Sequence, residues 1–127
     1  MAAKGDLSLV SWGSGNDGQV SNTPTTAEFV AVFAGGAHSI AVKLDGSLVC
    51  WGEDYSQQVS TAPTFPGFLS MAAGGAHSVA VKEDGSLVSW GNDDHGQVNN
   101  TPTTADFVAV AAGDDYSVAL KEDGSLV

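Results

Sequence analysis

Two histidines, His38 and His77, stand 39 residues apart in one shared context, Gly-Gly-Ala-His-Ser. Imidazoles repeated at a fixed interval could ring a metal ion, because neutral ring nitrogens are common ligands. Tyr116 takes the third such position, and no Cys/His pair has ligand spacing. The histidines are therefore read as fasteners that hold backbone carbonyls between strands, and no metal site is assigned. Carboxylates offer a second chemistry. They cluster at Glu53-Asp54-Tyr55, Asp93-Asp94-His95 and Asp114-Asp115-Tyr116. Paired carboxylates can cleave glycosides, and acidic loops can hold calcium. None of the three matches an EF-hand loop, and Asp-rich turns are the ordinary covering of a β-protein. The tryptophans, Trp12, Trp51 and Trp90, could stack sugars, but their fixed place after Leu-Val reads as core.

No Ser-His-Asp order, nucleophile elbow, phosphate-binding glycine loop or zinc signature is present. The expectation is a protein that is not an enzyme, with no catalytic residue, no cofactor and no metal. The loops that differ most between copies are the candidate interaction residues: Glu53, Asp54, Tyr55, Asp93, Asp94, His95, Asp114, Asp115 and Tyr116. Variable loops on a regular scaffold are where partners are met, and aromatic anchors carry interface energy, which singles out Tyr55, His95 and Tyr116.

The elements that must position these residues follow from one period. Trp12, Trp51 and Trp90 are 39 apart, and so are Gly35, Gly74 and Gly113, Pro24, Pro63 and Pro102, and Asp45, Asp84 and Asp123. A fixed period of this length decides the architecture. The chain reads as a single domain over 1–127, with repeats near 11–49, 50–88 and 89–127 and residues 1–10 as an extra closing strand. Within a repeat, FVAVFAG (29–35) and HSIAVK (38–43) have strand character, with Ile40 and Val42 on one face and Ser39 and Ala41 on the other. Asp45-Gly46 predicts a tight primed hairpin turn, and SLVCWG (47–52) returns antiparallel with Val49 and Trp51 sharing a face. The stretch at 52–67 reads as loop with room for a short outer strand around QQV (57–59), and Pro63 and Pro66 bar a central strand. No segment has helical periodicity. Units of three or four short strands repeated at this interval are propeller blades, all-β, each packed on the next. Gly35-Gly36 and Gly74-Gly75 suit places where backbones crowd or positive φ is needed.

The run AGGAHSxAVKxDGSLVxWG, followed by NDDHGQV (92–98), resembles the bacterial form of the repeats in the regulator of chromosome condensation. The resemblance covers the chain three times over. The acidic loops and the Pro-Thr segment also look similar to the propeller-type β-lactamase inhibitor. Family members are seven-bladed propellers, so three copies are less than half a ring. The exchange-factor activity of some members is not carried over, since the match is to scaffold residues only.

The last copy, KEDGSLV (121–127), repeats the start of a strand that LSLVSWG (7–13) carries in full. The expected closure residues are Leu7, Leu9, Val10, Trp12, Leu126 and Val127. A partial ring leaves raw strand edges and apolar faces, which invite a second chain. Two copies joined head to tail make a six-bladed ring by homodimerisation, within the four to eight blades usual for such rings; three copies exceed it. The alternative is a fragment of a seven-bladed protein. The function read from all this is a protein-interaction or structural scaffold, with a carbohydrate or small-ligand binder using repeated sites as the second reading and an enzyme inhibitor as a lesser one.

Composition bounds the rest. Of 127 residues, 43% are apolar, and the formal net charge is −11 with four lysines and no arginine. Lys4, Lys43, Lys82 and Lys121 are one position repeated, expected to pair with Asp or Glu at the rim. So acidic a surface repels phosphate backbones and suits a basic partner protein, so no nucleic acid is expected. The longest apolar run, residues 29–34, is far below the ~20 residues of a membrane helix. No membrane contact and no signal peptide are read, and a cytoplasmic location is the default. Cys50, the lone cysteine, replaces Ser11 and Ser89 of the other copies and reads as a packed residue.

Overall fold

A computed structural model of the chain describes residues 2–3, 9–11, 18, 20–25 and 28–127, with the backbone alone at 2, 3 and 10. The described residues form ten strands and no helix, so no helix is long and apolar enough to cross a membrane. In chain order they are β1 (Ala2–Ala3), β2 (Leu9–Val10), β3 (Phe29–Ala34), β4 (His38–Lys43), β5 (Leu48–Gly52), β6 (Phe68–Ala73), β7 (His77–Lys82), β8 (Leu87–Gly91), β9 (Phe107–Ala112) and β10 (Ser117–Lys121). Strands β3-β4-β5 and β6-β7-β8 make two antiparallel three-stranded sheets, β9-β10 a third sheet of two strands, and β1-β2 a short separate pair. A lane beside β10 is begun by Leu126, which bridges Leu120, and by Val127, which exchanges two 2.9 Å backbone hydrogen bonds with Ala119.

Both faces of each full sheet are covered, as a stack of blades requires. Ile40, with Val42, Leu48 and Cys50, packs one face of the first sheet against Met71, Ala80 and Trp90 of the second. Across the second sheet, Val81 and Leu87 meet Phe107 and Ala119 of the third. The outer face of the first sheet carries Phe29, Ala41, Val49 and Trp51, and Leu9 lies against it. Leu9, Leu48 and Leu87 thus make the same contact with successive sheets, one repeat apart. Val49 and Trp51 share a face as the alternation required.

Three expectations are corrected. The QQV segment is not a strand. It folds into turns, because the Asp54 carboxylate accepts the backbone N–H groups of Val59 and Ser60 at 2.8 Å each, and Thr61 N–H reaches the Gln57 carbonyl at 3.0 Å. Backbone donors satisfied locally leave nothing to offer a neighbouring strand. The hairpins are not primed turns either. A primed Asp-Gly turn needs positive φ at both residues, but Gly46, Gly85 and Gly124 alone take it (84°, 84° and 86°), not their Asp neighbours. Lys43 N–H instead bonds the Ser47 carbonyl and Gly46 N–H the Lys43 carbonyl, both at 2.9 Å, closing a three-residue loop. Asp45 Oδ1 fixes it by accepting Ser47 N–H at 2.9 Å and Ser47 Oγ–H at 2.6 Å, which favours the ionised carboxylate and lowers its pKa. Third, the lysines do not all pair at the rim. Among the described residues the one lysine ion pair is Lys121–Asp106 at 3.5 Å, while Lys82 sits 5.1 Å from the Phe65 ring centroid.

Candidate functional site

Neighbouring sheets approach most closely at the Gly-Gly steps that precede β4 and β7. Gly36 N–H donates to the Gly74 carbonyl at 2.9 Å, and Gly75 N–H to the Asp114 carbonyl at 3.2 Å. Beside these steps the buried His38 shares a 2.8 Å hydrogen bond, through Nε2, with Ser78 Oγ, and His77 shares one of 3.0 Å with Ser117 Oγ. Each Nε2 thus meets a serine hydroxyl of the next sheet. At His77 burial lowers the pKa, while the backbone of Tyr116 and Asp114 also acts on the ring and works the other way. A serine follows every His or Tyr position, and Ser78 and Ser117 present their hydroxyls to the preceding sheet. Among the described residues no three His, Cys, Asp or Glu side chains gather as a metal would need.

Burial drives the His38 pKa down to about 4, with the nearby His77 a smaller contribution. The sign of its effect on stability follows. Below the ordinary value of 6.5 the unfolded chain takes up a proton that folded His38 refuses, so stability is complete above that value and falls as pH drops toward about 4. Urea melts between pH 7 and pH 4 should show this loss, and His38→Gln should flatten it. A wild-type midpoint independent of pH across that window would contradict the assignment.

The acidic loops are built on the strand ends next to these histidines. Glu53 N–H bonds the Ala37 carbonyl at 2.8 Å and Asn92 N–H the Ala76 carbonyl at 2.9 Å, which launches each loop from the same place. Within them Asp54 and Asp93 are tied down. Asp93 accepts Val98 N–H at 2.8 Å and Asn99 N–H at 2.7 Å, as Asp54 does from Val59 and Ser60, and both pKa values are lowered chiefly by these backbone bonds. Glu53 Oε2 holds the buried Gln58 amide at 3.0 Å. These three carboxylates shape their loops.

Two grooves remain on this edge. One brings Tyr55 alongside Asp93 and Asp94, and the next brings Asp94 and His95 alongside Asp114 and Asp115. His95 Nδ1 lies 3.7 Å from Asp115 Oδ1, while Tyr55 and Tyr116 project into solvent at 89% and 62% exposure. Trp51 and Trp90 are 4% and 3% exposed, so neither offers a face for a sugar to stack on. Trp12 and Leu7 lie outside the described residues. Leu126 and Val127 are exposed at 69% and 53%. Cys50 is half-buried, and burial pushes its thiol up to about 12, so it is inert at neutral pH.

A cavity of about 260 Å³ opens between the second and third sheets, lined by Val79, Leu87, Ser89, Gln97, Ala119 and Val127 on its inner walls and by His95, Asp115 and Tyr116 at the edge. Sequence reasoning missed it. The signal was present, since every wall residue sits one repeat after a residue that surrounds a tryptophan.

Sheets of this form, stacked face to face, are blades of a β-propeller. The chain carries repeats of the regulator of chromosome condensation, matched at residues 29–58 and 68–97. No curated protein sequence matches it. Among solved structures it is similar to the CRINKLY WD40 ectodomain of the Arabidopsis thaliana receptor kinase ACR4 (TM-score 0.80, 27% identity, 97% of this chain and 44% of that one). It is similar also to the ectodomain of the Physcomitrella patens receptor kinase CR4 (TM-score 0.81, 28% identity, 97% and 33%). Yeast RCC1 (Prp20), solved bound to Kap60, shares the fold (TM-score 0.71, 23% identity, 91% and 38%). The chain thus spans less than half the length of each.

Proposed function

We infer that this chain is a non-enzymatic propeller scaffold that joins a second copy head to tail and meets partner proteins through its acidic loops. The observation that carries the reading is the placement of Leu9. It covers the first sheet as Leu48 covers the second and Leu87 the third, which supports β2 as a strand of a further blade beside the first sheet. Two such chains joined head to tail make six blades. Burying several hundred Å² of apolar surface per junction, at ~25 cal/mol per Å², offers a gross gain on the order of 10 kcal/mol.

The loop edge supports the partner role. Tyr55 and Tyr116 are exposed aromatic anchors among carboxylates, and a net charge of −11 favours a basic protein. A propeller that shares the fold, yeast RCC1 (Prp20), was solved with a bound protein, Kap60. Light scattering should give the mass of two chains. Immobilised histones and other basic proteins should capture the chain at low salt, and Tyr55→Ala should weaken that capture about tenfold with the mass unchanged. A single-chain mass overturns the assembly, and capture indifferent to Tyr55→Ala overturns the loop assignment.

A further inference from the structure

At the hairpin end of the molecule two departures from the repeat meet. The linker entering a sheet reads Thr-Ala-Glu-Phe at 26–29 and Thr-Ala-Asp-Phe at 104–107, but Phe-Pro-Gly-Phe at 65–68. The hairpin residue after β7 and β10 is a glutamate, Glu83 and Glu122, but after β4 it is Leu44. The second linker lies on the first hairpin, since a Cβ on Gly46 would stand 3.4 Å from Pro66 Cβ. Leu44, Phe65 and Pro66 therefore share one corner, and all three are exposed, Leu44 at 63% and Phe65 at 41%. At the next junction the stations of Leu44 and Phe65 hold Glu83 and Thr104. Apolar side chains scattered singly over a surface are ordinary, whereas a group of them marks a contact.

The corner is also held in shape and carries a charge. Phe65 precedes a proline, which restricts its backbone to extended conformations, and its ring stacks on Phe68 with centroids 5.5 Å apart. Lys82 Nζ lies 5.1 Å from the Phe65 centroid. In the third sheet the equivalent Lys121 pairs with Asp106, but here that station is Gly67, and among the described residues no carboxylate comes within 4 Å of Lys82. Asp45 and Asp84 are engaged by their own hairpin serines, and Glu83 lies over Gly67 without reaching the ammonium.

We propose that this corner is a second interaction surface, which takes an extended segment of a partner protein carrying an apolar side chain beside a carboxylate. The apolar side chain covers Leu44, Phe65 and Pro66, and the carboxylate meets Lys82, whose cation a neighbouring ring leaves free to bind an anion. The surface lies between the first and second sheets and needs no second copy. It stands at the opposite end of the strands from the acidic loops, a strand length of about 17 Å away. That is about two Debye lengths at physiological salt, so the loop charges are screened there.

Calorimetry at physiological salt with the peptide acetyl-Ser-Leu-Phe-Asp-Leu-Ser-amide, and with its counterpart carrying lysine for aspartate, tests this. A net charge of −11 by itself favours the lysine peptide, whereas this surface requires the aspartate peptide to bind about tenfold tighter or more. Lys82→Gln should erase that preference. Leu44→Glu combined with Phe65→Thr, which installs what the third copy has at both stations, should weaken the aspartate peptide about tenfold while strand circular dichroism is kept. Equal or tighter binding of the lysine peptide, binding of neither, or binding that both variants leave unchanged overturns the proposal. So does a light-scattering mass that falls in the double variant, because a second copy would then be what covers the corner.

Discussion

Gly74→Ala is expected to lower the melting midpoint by roughly 10 °C or more. A Cβ at Gly74 would lie 2.5 Å from the Gly113 carbonyl oxygen of the next sheet and closer still to the His77 ring. Neither neighbour can yield cheaply. The carbonyl belongs to backbone that fixes the spacing of the sheets, and His77 is buried and bonded to Ser117 across the same seam. The sheets must part, which weakens the Gly36 to Gly74 hydrogen bond on one side and the Gly75 to Asp114 bond on the other. Overpacking against backbone costs about 3 kcal/mol, a large share of the 5–15 kcal/mol that holds a domain of this size. Gly124→Ala is the control. Its φ of 86° is strained for alanine, but nothing lies within 4 Å of the added carbon, so the cost should be about 1 kcal/mol. Thermal melts followed by circular dichroism compare the two, and equal midpoints would show that the Gly-Gly seam is looser than its geometry requires.

The same seam separates what the sequence made legible from what it hid. Strands at 29–34, 38–43 and 48–52, the places of the Asp-Gly hairpins (though not their turn type) and the burial of Trp51 and Trp90 all depend on contacts within one repeat or on a pattern stated three times, and each was readable. The bulges were not. The pairing slips between Phe29 and Ala31 and between Phe68 and Ser70, which pushes Val30 and Leu69 outward to 52% and 58% exposure. In a run as apolar as FVAV no alternation marks such a slip. The imidazole partners were hidden because each bond joins residues 40 apart, a repeat plus one. The clue lay in the Ser that follows every His or Tyr position, unchanged in all three copies while the ring before it varies. The loops were misread at QQV because alternation there competes with an Asp whose carboxylate can satisfy two backbone donors at once. A single side chain decided that segment, and propensity could not weigh it.

The loop carboxylates show why acidity and function are only partly the same matter here. Asp45, Asp84 and Asp123 close hairpins, and Asp54 and Asp93 close the long turns. Their charge is a by-product of being good acceptors for backbone N–H groups. Asp94, Asp114 and Asp115, which line the groove beside His95, form none of those loop-closing bonds, so they are the carboxylates a basic partner would meet first.

Trp90→Ala should cost about 4 kcal/mol, within the range for emptying a large aromatic site in a core. Two losses combine. The indole leaves a hole between Ile40, Met71 and Ala80, and the Gln58 carbonyl loses its donor in a buried place. The variant would then hold two cavities of like design, one made by the substitution and one present between the second and third sheets. Both have walls made by residues one repeat apart, so both should accept a free indole. Added indole is therefore expected to raise the melting midpoint of Trp90→Ala by mass action, and that of the wild type too, through the cavity between the second and third sheets. Calorimetry of indole binding to the wild type and to Trp90→Ala reads this directly. Absence of binding to the wild type would mean that the cavity between the second and third sheets does not admit an indole. Absence of binding to Trp90→Ala would mean that the walls collapse when the ring is removed, and that the two places are not alike.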